Sequence, residues 1–488
     1  MISVPESELF DVLIVAFIVT QCLYTFTFLI DFYLMSLPVD WVDMSEPITE
    51  PQSEWPYIVL FYPVLHELEA TMRTTFLSLT KLDYPTERYR VVAIPNTHDT
   101  ETIASLQRLA KDFPFLEILE VPPTNDPSWQ IVWEAWQQNR NVYWWHEGRR
   151  AGVRDLPPKK TRQLVYGLYN VAEELKHEPN LVINYIDADS CPPVDHFKGA
   201  VIGLKHYDVL QAQNIVGNLN ATMPTSWHAF DHMAWDGYKY PHLSAHGRQP
   251  FFVLGKGLFY RARDLIELGG FHPWITIEDP EVGLRYWANG KRLGILASPL
   301  IEEVPKTWLQ GITQRKRWVC GFFQSLDEPL NRLRLNFWQR LQALVIFYPC
   351  ASLSINALGL PLGLWALWML FAHPGYFPEW TLACAGVNIL LLGVSLTFLY
   401  INTWKRTALV CTRRRDRIWY MIRVNPISAM IWWFLWLIPL FIGFRMYLRD
   451  EGLAWQRTEK TDANKVLIRK KMQDHPTLIS QIRESNLE

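Results

Sequence analysis

The apolar runs of membrane length lie only towards the two ends of this chain, and that placement limits what it can fold into. "FDVLIVAFIVTQCLYTFTFLIDFYLMSL", from Phe10, contains an uncharged run from Val12 to Ile30, close to the roughly 20 residues a bilayer requires. Further spans lie at about Leu341–Ala372, Trp380–Tyr400 and Pro426–Phe444. Between them runs a polar stretch of domain size. The first span has no basic region before it and no small-residue cleavage site after it, so it reads as an anchor rather than a signal peptide. The expected division is 1–50 anchor and linker, 51–326 globular domain, 327–450 interfacial helix and membrane helices, and 451–488 charged tail.

Orientation follows from basic residues. "INTWKRTALVCTRRRDR", after Tyr400, carries six Lys or Arg and should be cytoplasmic, whereas "HPGYFP" at His373 carries none. The globular domain is then cytoplasmic, and the protein a multi-pass resident of the inner (plasma) membrane. Straight counting of the last three spans would put the tail outside. The alternatives are that Pro426–Phe444 lies in the interface or re-enters, helped by Pro439, or that the long span turns back near Pro361. "EPLNRLRLNFWQRL", ahead of Leu341, is amphipathic, as expected of an interfacial helix. A formal net charge of -2 leaves no electrostatic footprint for nucleic acid. The six cysteines are scattered without a Cys-x-x-Cys pair, which favours free thiols over a disulfide framework.

In the central stretch strands alternate with helices. "YIVLFYPV" at Tyr57, "RYRVVAIPN" at Arg88, "FLEILEVPP" and "LVINYIDAD" read as strands; "ELEATMRTTFLSLTKL", "TETIASLQRLAKDF" and "TRQLVYGLYNVAEEL" have helical periodicity. This alternation predicts an α/β domain with a mostly parallel sheet and a nucleotide-sized ligand at the strands' carboxyl ends. Neither a G-x-G-x-x-G nor a P-loop pattern occurs.

The last of these strands ends in "YIDADS". Residues two apart in extended chain share a face, so Asp187 and Asp189 converge and call for a counter-charge. Either they form a solvated turn, or they hold a divalent cation completed by substrate phosphates, Mg²⁺ or Mn²⁺ suiting such oxygen ligands. Glu278 and Asp279 open a helix expected from about Pro280, where they are catalytic or merely partner the helix dipole. Gln314, Arg317 and Trp318 share one helical face by spacing. "SWQIVWEAWQQNRNVYWWH" places Trp129, Trp133 and Trp136 at helical spacing, with Trp144 and Trp145 beyond, as a lid packed on the domain or membrane interface, or as a carbohydrate-stacking surface. "TSWHAFDHMAWDGYKYPHLSAH", from Thr225, should shape the acceptor side without holding a second metal.

D-x-D, then E-D, then Q-x-x-R-W ahead of membrane helices resembles the inverting family 2 glycosyltransferases. It is similar to their membrane-integrated members of the cellulose, hyaluronan and curdlan synthase type, and among these to bacterial exopolysaccharide and phage-adsorption glycosyltransferases. The similarity runs from Pro63 to Lys460. It implies a GT-A (nucleotide-diphospho-sugar transferase) domain with an α-helical transmembrane block, and a hexosyltransferase using a nucleotide-sugar donor, a UDP-sugar first, with Mg²⁺ or Mn²⁺. Pro63 and Glu67 match a first-strand element, with His66 at its asparagine. Lys160, in "PPKKTRQL", would contact the diphosphate or base. Asp187 would lie near the nucleotide, Asp189 on the metal, and Asp279 would be the general base beside Glu278. Gln314, Arg317 and Trp318 would lie at the diphosphate and acceptor sugar. Thr458 and Lys460, in "LAWQRTEKT", would be gating contacts.

Two departures stand out. "VVAIPNTHDTET" lacks the usual aspartate pair for the base, leaving Asn96 or Asp99 as substitutes, and Val165 replaces an asparagine. Burial and the nearby charges of Glu278 and Glu281 would raise the pKa of Asp279 and fit it to accept a proton. The leading expectation is a processive enzyme extending a β-linked glycan and exporting it, with export partners or a homo-oligomer completing a channel. Transfer of one sugar to a lipid-linked or glycolipid acceptor is the alternative, and a catalytically degenerate secretion or phage-receptor scaffold a third.

Overall fold

The computed structural model describes residues 8–373 and 375–450. It opens on helix α1 (Glu8–Ser36), whose last turns enter the globular domain: Ile30 and Leu34 are buried in its core. The following linker is strapped to the domain, with Val42 N–H donating to Ile295 O and Ile295 N–H to Asp40 O.

The domain is built on seven strands, β1 (Tyr57–Pro63), β2 (Tyr89–Ile94), β3 (Leu116–Ile118), β4 (Leu181–Tyr185), β5 (Val209–Val216), β6 (Leu258–Arg261) and β7 (Leu293–Glu302), in the order β3-β2-β1-β4-β6-β5-β7. All neighbours are parallel except at β6, which runs antiparallel to β4 and β5. Parallel strands are covered on both faces and so read as continuous apolar runs. The two faces are visible within β1: Val59 and Phe61 join one core, Ile58, Leu60 and Tyr62 the other.

Helices α2 (Glu69–Leu79) and α3 (Thr100–Asp112) are placed as expected. Then come α4 (Gln130–Gln138), α5 (Tyr143–His146) and α6 (Lys160–Glu174). The five tryptophans of the α4–α5 region are all buried. Trp133 stacks on Trp129 and on Trp145, and Trp136 Nε1 donates to Tyr169 OH. They form core, and no exposed stacking surface results. Next are α7 (His196–Gly203), α8 (Met223–Ala234), α9 (Ala262–Glu267) and α10 (Asp279–Ala288).

Helix α11 (Trp308–Arg332) carries Gln314, Arg317 and Trp318. The amphipathic segment at 328–341 is not one helix. α11 ends at Arg332, and α12 (Phe337–Ala372) restarts from an Asn336–Gln339 capping box, which satisfies the first orphan N–H groups. α12 runs unbroken through Pro361, so no turn-back occurs there. α13 (Glu379–Thr407) and α14 (Arg414–Arg423) follow. The last apolar span divides at Trp436 into α15 (Pro426–Leu435) and α16 (Leu437–Leu448). Three described segments, Phe10–Ser36, Glu379–Thr407 and Pro426–Leu448, are long and apolar enough to cross a membrane. The described cysteines Cys22, Cys191, Cys320, Cys384 and Cys411 are free thiols.

The Pro426–Leu448 segment follows the domain along its length. Trp227 Nε1 donates to Ser428 Oγ at 2.8 Å, and Trp432 and Trp436 donate to Asp231 at 2.8 and 3.0 Å. Gly443 sits so close to α11 that an added Cβ would lie 2.5 Å from Lys316 O. Just beyond α16, Arg150 Nη2 donates to Asp450 Oδ2 at 2.6 Å. Both ends of the segment therefore rest on the same domain.

Candidate active site

A cavity of about 1220 Å³ opens at the carboxyl ends of β1 and β4, bounded by α11 and by the apolar helices. Its lining contains Pro63, Glu67, Lys160, Asp187, Asp189, Glu278, Asp279, Gln314, Arg317 and Trp318. The two chain turns that leave β4 and enter α10 face each other here, which is why residues ninety positions apart share one space.

Lys160, the first residue of α6, ties them together. Its Nζ lies 2.9 Å from Asp187 Oδ1 and 3.7 Å from Glu278 Oε1, donates to Gly255 O at 2.9 Å, and sits over the Tyr185 ring. Burial opposes a charge at Lys160, yet Asp187 and Glu278 push its pKa above the ordinary lysine value. Asp279 Oδ2 accepts the Gly255 N–H at 2.8 Å. Burial first, then the Glu278 charge, raise its carboxyl to about 7; a group poised near neutrality suits proton transfer.

Glu281, expected to crowd Asp279, is turned away from it. Arg285, one helical turn on, takes both its oxygens, Nε at 2.9 Å and Nη2 at 2.8 Å, and Tyr143 OH donates to it at 3.1 Å. The pair is fully buried and belongs to the fold.

Asp189 is buried, and its Oδ2 accepts the backbone N–H of Glu303 at 2.9 Å. Asp187, Asp189 and Glu303 all line the cavity and offer oxygen ligands of the kind that a hard divalent cation takes, but their carboxylates are not gathered into a ligand set in this structure. Opposite them, Gln314 Oε1 and Arg317 Nε are buried without a hydrogen-bond partner. Buried polar atoms in that state call for a water, ion or ligand partner. Arg317 is held below its ordinary pKa by burial, with Asp187 opposing the shift.

A second group could also hold a cation. His232 Nδ1 lies 2.8 Å from Asp236 Oδ2 and 3.2 Å from Glu302 Oε1, all three buried. Lys256 Nζ contacts the other Glu302 oxygen and supplies a positive charge in place. The expectation of no second metal in the segment from Thr225 rests on histidine spacing alone; His232 and Asp236, four residues apart within it, are joined by Glu302 from β7. Sequence reasoning also gave no reason to single out Gly255 and Lys256, on the loop before β6, or Lys159, whose Nζ donates to the carbonyls of Trp274 and Ile275 at 3.3 and 3.2 Å. The glycines flanking Lys256 in "VLGKGLF" are the one local cue.

Asn96 and Asp99 are not among the residues that line the cavity. Asn96 receives a hydrogen bond from Arg162. Asp99 accepts the His66 N–H at 2.6 Å, lies 3.0 Å from His66 Nδ1, and caps α3 through Thr102 N–H. Its bond fixes His66 at φ 50°, a left-handed conformation that histidine and asparagine tolerate better than most side chains. Thr458 and Lys460 lie outside the described residues.

Among solved structures, the chain is similar to the mannosyltransferase PcManGT from Pyrobaculum calidifontis in complex with GDP-Man and Mn²⁺. The TM-score is 0.51 and the identity 16%, over 90% of this chain and 99% of that one; the fold, of GT-A type, is shared. S. aureus TarS 1–349, in complex with UDP-GlcNAc, gives a TM-score of 0.34 and 11% identity over 81% of this chain and 92% of that one. No curated protein sequence matches. The family described as Glycosyl transferase family group 2 matches residues 182–447, more than half of the 488. That match begins in β4, the strand that leads into Asp187, and ends in the helix that packs on Arg317's own, and the protein belongs to this family, the glycosyltransferases that draw on nucleotide sugars.

Proposed function

We propose that the protein is a membrane-bound, inverting, metal-dependent hexosyltransferase that moves a sugar from a nucleoside-diphosphate donor, GDP- or UDP-linked, to an acceptor hydroxyl. Its catalytic domain faces the cytoplasm of a plasma membrane. The observation that carries this reading is the meeting of Asp279, Lys160, Asp187 and Arg317 around one cavity.

Asp279 is the general base. Held by the Gly255 N–H, it takes the acceptor proton as the hydroxyl oxygen attacks the anomeric carbon from the face opposite the diphosphate. Glu278 keeps the base partly protonated near neutrality and so strengthens its affinity for that proton. Asp189, with Asp187 and Glu303, is the seat for Mg²⁺ or Mn²⁺, which would offset charge gathering on the leaving diphosphate. Arg317 and Gln314 complete that stabilisation from α11, acting where charge develops. Pro63 and Glu67 border the donor, and Trp318 faces the acceptor side.

Two acceptors are in view. Gln314, Arg317 and Trp318 support extension of a growing β-linked glycan with export, and the apolar far wall of the cavity supports single transfer to a lipid-linked sugar. The wall weighs more, because a glycan would be stripped of water there without replacement partners. The test of the transferase reading is Asp279→Asn with GDP-mannose and UDP-sugars. Donor binding should persist while turnover falls about a hundredfold or more; near-normal turnover would refute the assignment.

A further inference from the structure

The cavity does not stop at the catalytic groups. It continues as one space between α1, α12 and α13, where its lining turns to Phe17, Phe28, Leu367, Leu370 and Leu392. Leu364, Leu367 and Ile389 line it and are 61%, 52% and 71% exposed, so the chamber is accessible rather than sealed. Two of its polar lining groups are bonded: Asn388 Nδ2 donates to Gln21 Oε1 at 3.0 Å, and Asn388 Oδ1 accepts from Thr25 Oγ1 at 2.9 Å.

An alkyl chain is stabilised by such a wall in proportion to the area it buries. A polysaccharide is not, since its hydroxyls would lose water without gaining partners. The charge at the chamber's inner end narrows the choice further. Ten carboxylates and five lysine or arginine side chains line the cavity, so a second phosphate beside the donor's diphosphate meets an acidic surrounding. A phosphate oxygen is moreover already anionic and requires no base, whereas the site places Asp279 against a hydrogen-bonding backbone N–H. A neutral sugar hydroxyl is the nucleophile that makes use of it.

Resting on the transferase reading, we propose that the acceptor is a neutral glycolipid, its lipid chain seated between α1, α12 and α13 and its sugar headgroup held beside Trp318 and Asp279. A headgroup oxygen bonds to the donor's anomeric carbon, and the bond from that carbon to the diphosphate oxygen breaks. The electron pair leaves with the nucleoside diphosphate, the hydroxyl proton goes to Asp279, and one sugar is added per lipid.

The test uses the full-length protein in phosphatidylcholine nanodiscs with Mn²⁺ and GDP-mannose, UDP-glucose or UDP-GlcNAc. The acceptors are dodecyl β-glucoside, octyl β-glucoside, cellobiose and farnesyl phosphate, with products read by mass spectrometry. Dodecyl glucoside should gain a single sugar, with kcat/KM about tenfold or more above octyl glucoside, given the area that four further methylenes bury. Leu392→Trp, which puts a larger side chain into the chamber, should raise KM for dodecyl glucoside more than for octyl glucoside. Equal use of cellobiose, a long polymer, or preference for farnesyl phosphate would overturn the inference. Donor cleavage without transfer to either alkyl glucoside would overturn it alone. Failure of every donor to be cleaved in any arm would remove the transferase reading, and the inference with it.

Discussion

The ammonium of Lys160 stands 2.9 Å from the carboxylate of Asp187, one cation shared between the D-x-D turn and, through Glu278 and Gly255, the entrance to α10. It offsets three acidic groups that otherwise repel one another. Lys160→Met removes that charge while keeping the stem. A charge-assisted hydrogen bond contributes about 1.5–3 kcal/mol, so the donor Kd should rise roughly tenfold to a hundredfold. Donor titration by calorimetry measures this, and unchanged affinity would detach Lys160 from the donor site.

The pH dependence follows from Asp279. Burial and Glu278 raise its carboxyl to about 7, so at lower pH the group is protonated and cannot accept the acceptor's proton. The rate should fall as pH drops through about 7, tending to tenfold per pH unit below it. Glu278→Gln removes the like charge and should carry the acidic limb of the profile to lower pH. A profile that stays level from pH 5 to 8 in the parent protein, at saturating donor, would exclude Asp279 as the base.

Metal dependence separates the two candidate cation groups. Asp189→Ala and chelation by EDTA should each lower kcat about a hundredfold or more, the scale on which removing one stabiliser of developing charge acts. His232→Ala should not do so, since Lys256 already supplies a cation to Glu302. A manganese titration followed by electron paramagnetic resonance would show one site lost in Asp189→Ala. Loss in His232→Ala instead would move the metal to the other group.

The buried Glu281–Arg285 pair gives a prediction about stability rather than turnover. Arg285 also donates to the carbonyls of Leu268 and Gly270, so removing Glu281 strands a fully desolvated guanidinium. Glu281→Ala should cost about 3–5 kcal/mol, seen as a lowered Tm without a shift in the pH profile. A shift in the profile with unchanged Tm would put Glu281 back beside the base.

What the sequence revealed, and what it hid, follows from the range of the interactions. Asp187, Asp189 and Asp279 were legible because each sits where a strand or helix ends, and the order of motifs carried the rest. The i, i+4 spacing of Glu281 and Arg285 was equally readable, and it outweighed simple nearness to Asp279. Gly255 holds Asp279 through a backbone N–H, a contact with no side-chain signature. His232, Asp236 and Glu302 meet only because β7 returns beside α8 and the turn after it. The tryptophan-rich segment has the composition of a sugar-binding surface, yet packing of the rings on one another, on Tyr166 and Tyr169 of α6 and on His272 took all five inside.

The end of the chain offers a test of topology. Apolar length alone would send Pro426–Leu448 across the bilayer, but its beginning is held by Trp227, its middle by Asp231 and its far end by Arg150. A straight crossing would pull at least one of these contacts about 30 Å away, the thickness of the hydrocarbon core. The segment should therefore lie along the membrane surface and leave the tail on the catalytic side. Cysteines introduced at Arg449 and at Gly375 in a version lacking the native thiols should label from opposite faces of sealed vesicles, with Arg449 on the face where Arg140 labels. Labelling of Arg449 and Gly375 from one face would return the segment to the bilayer, and with it break the Arg150–Asp450 contact.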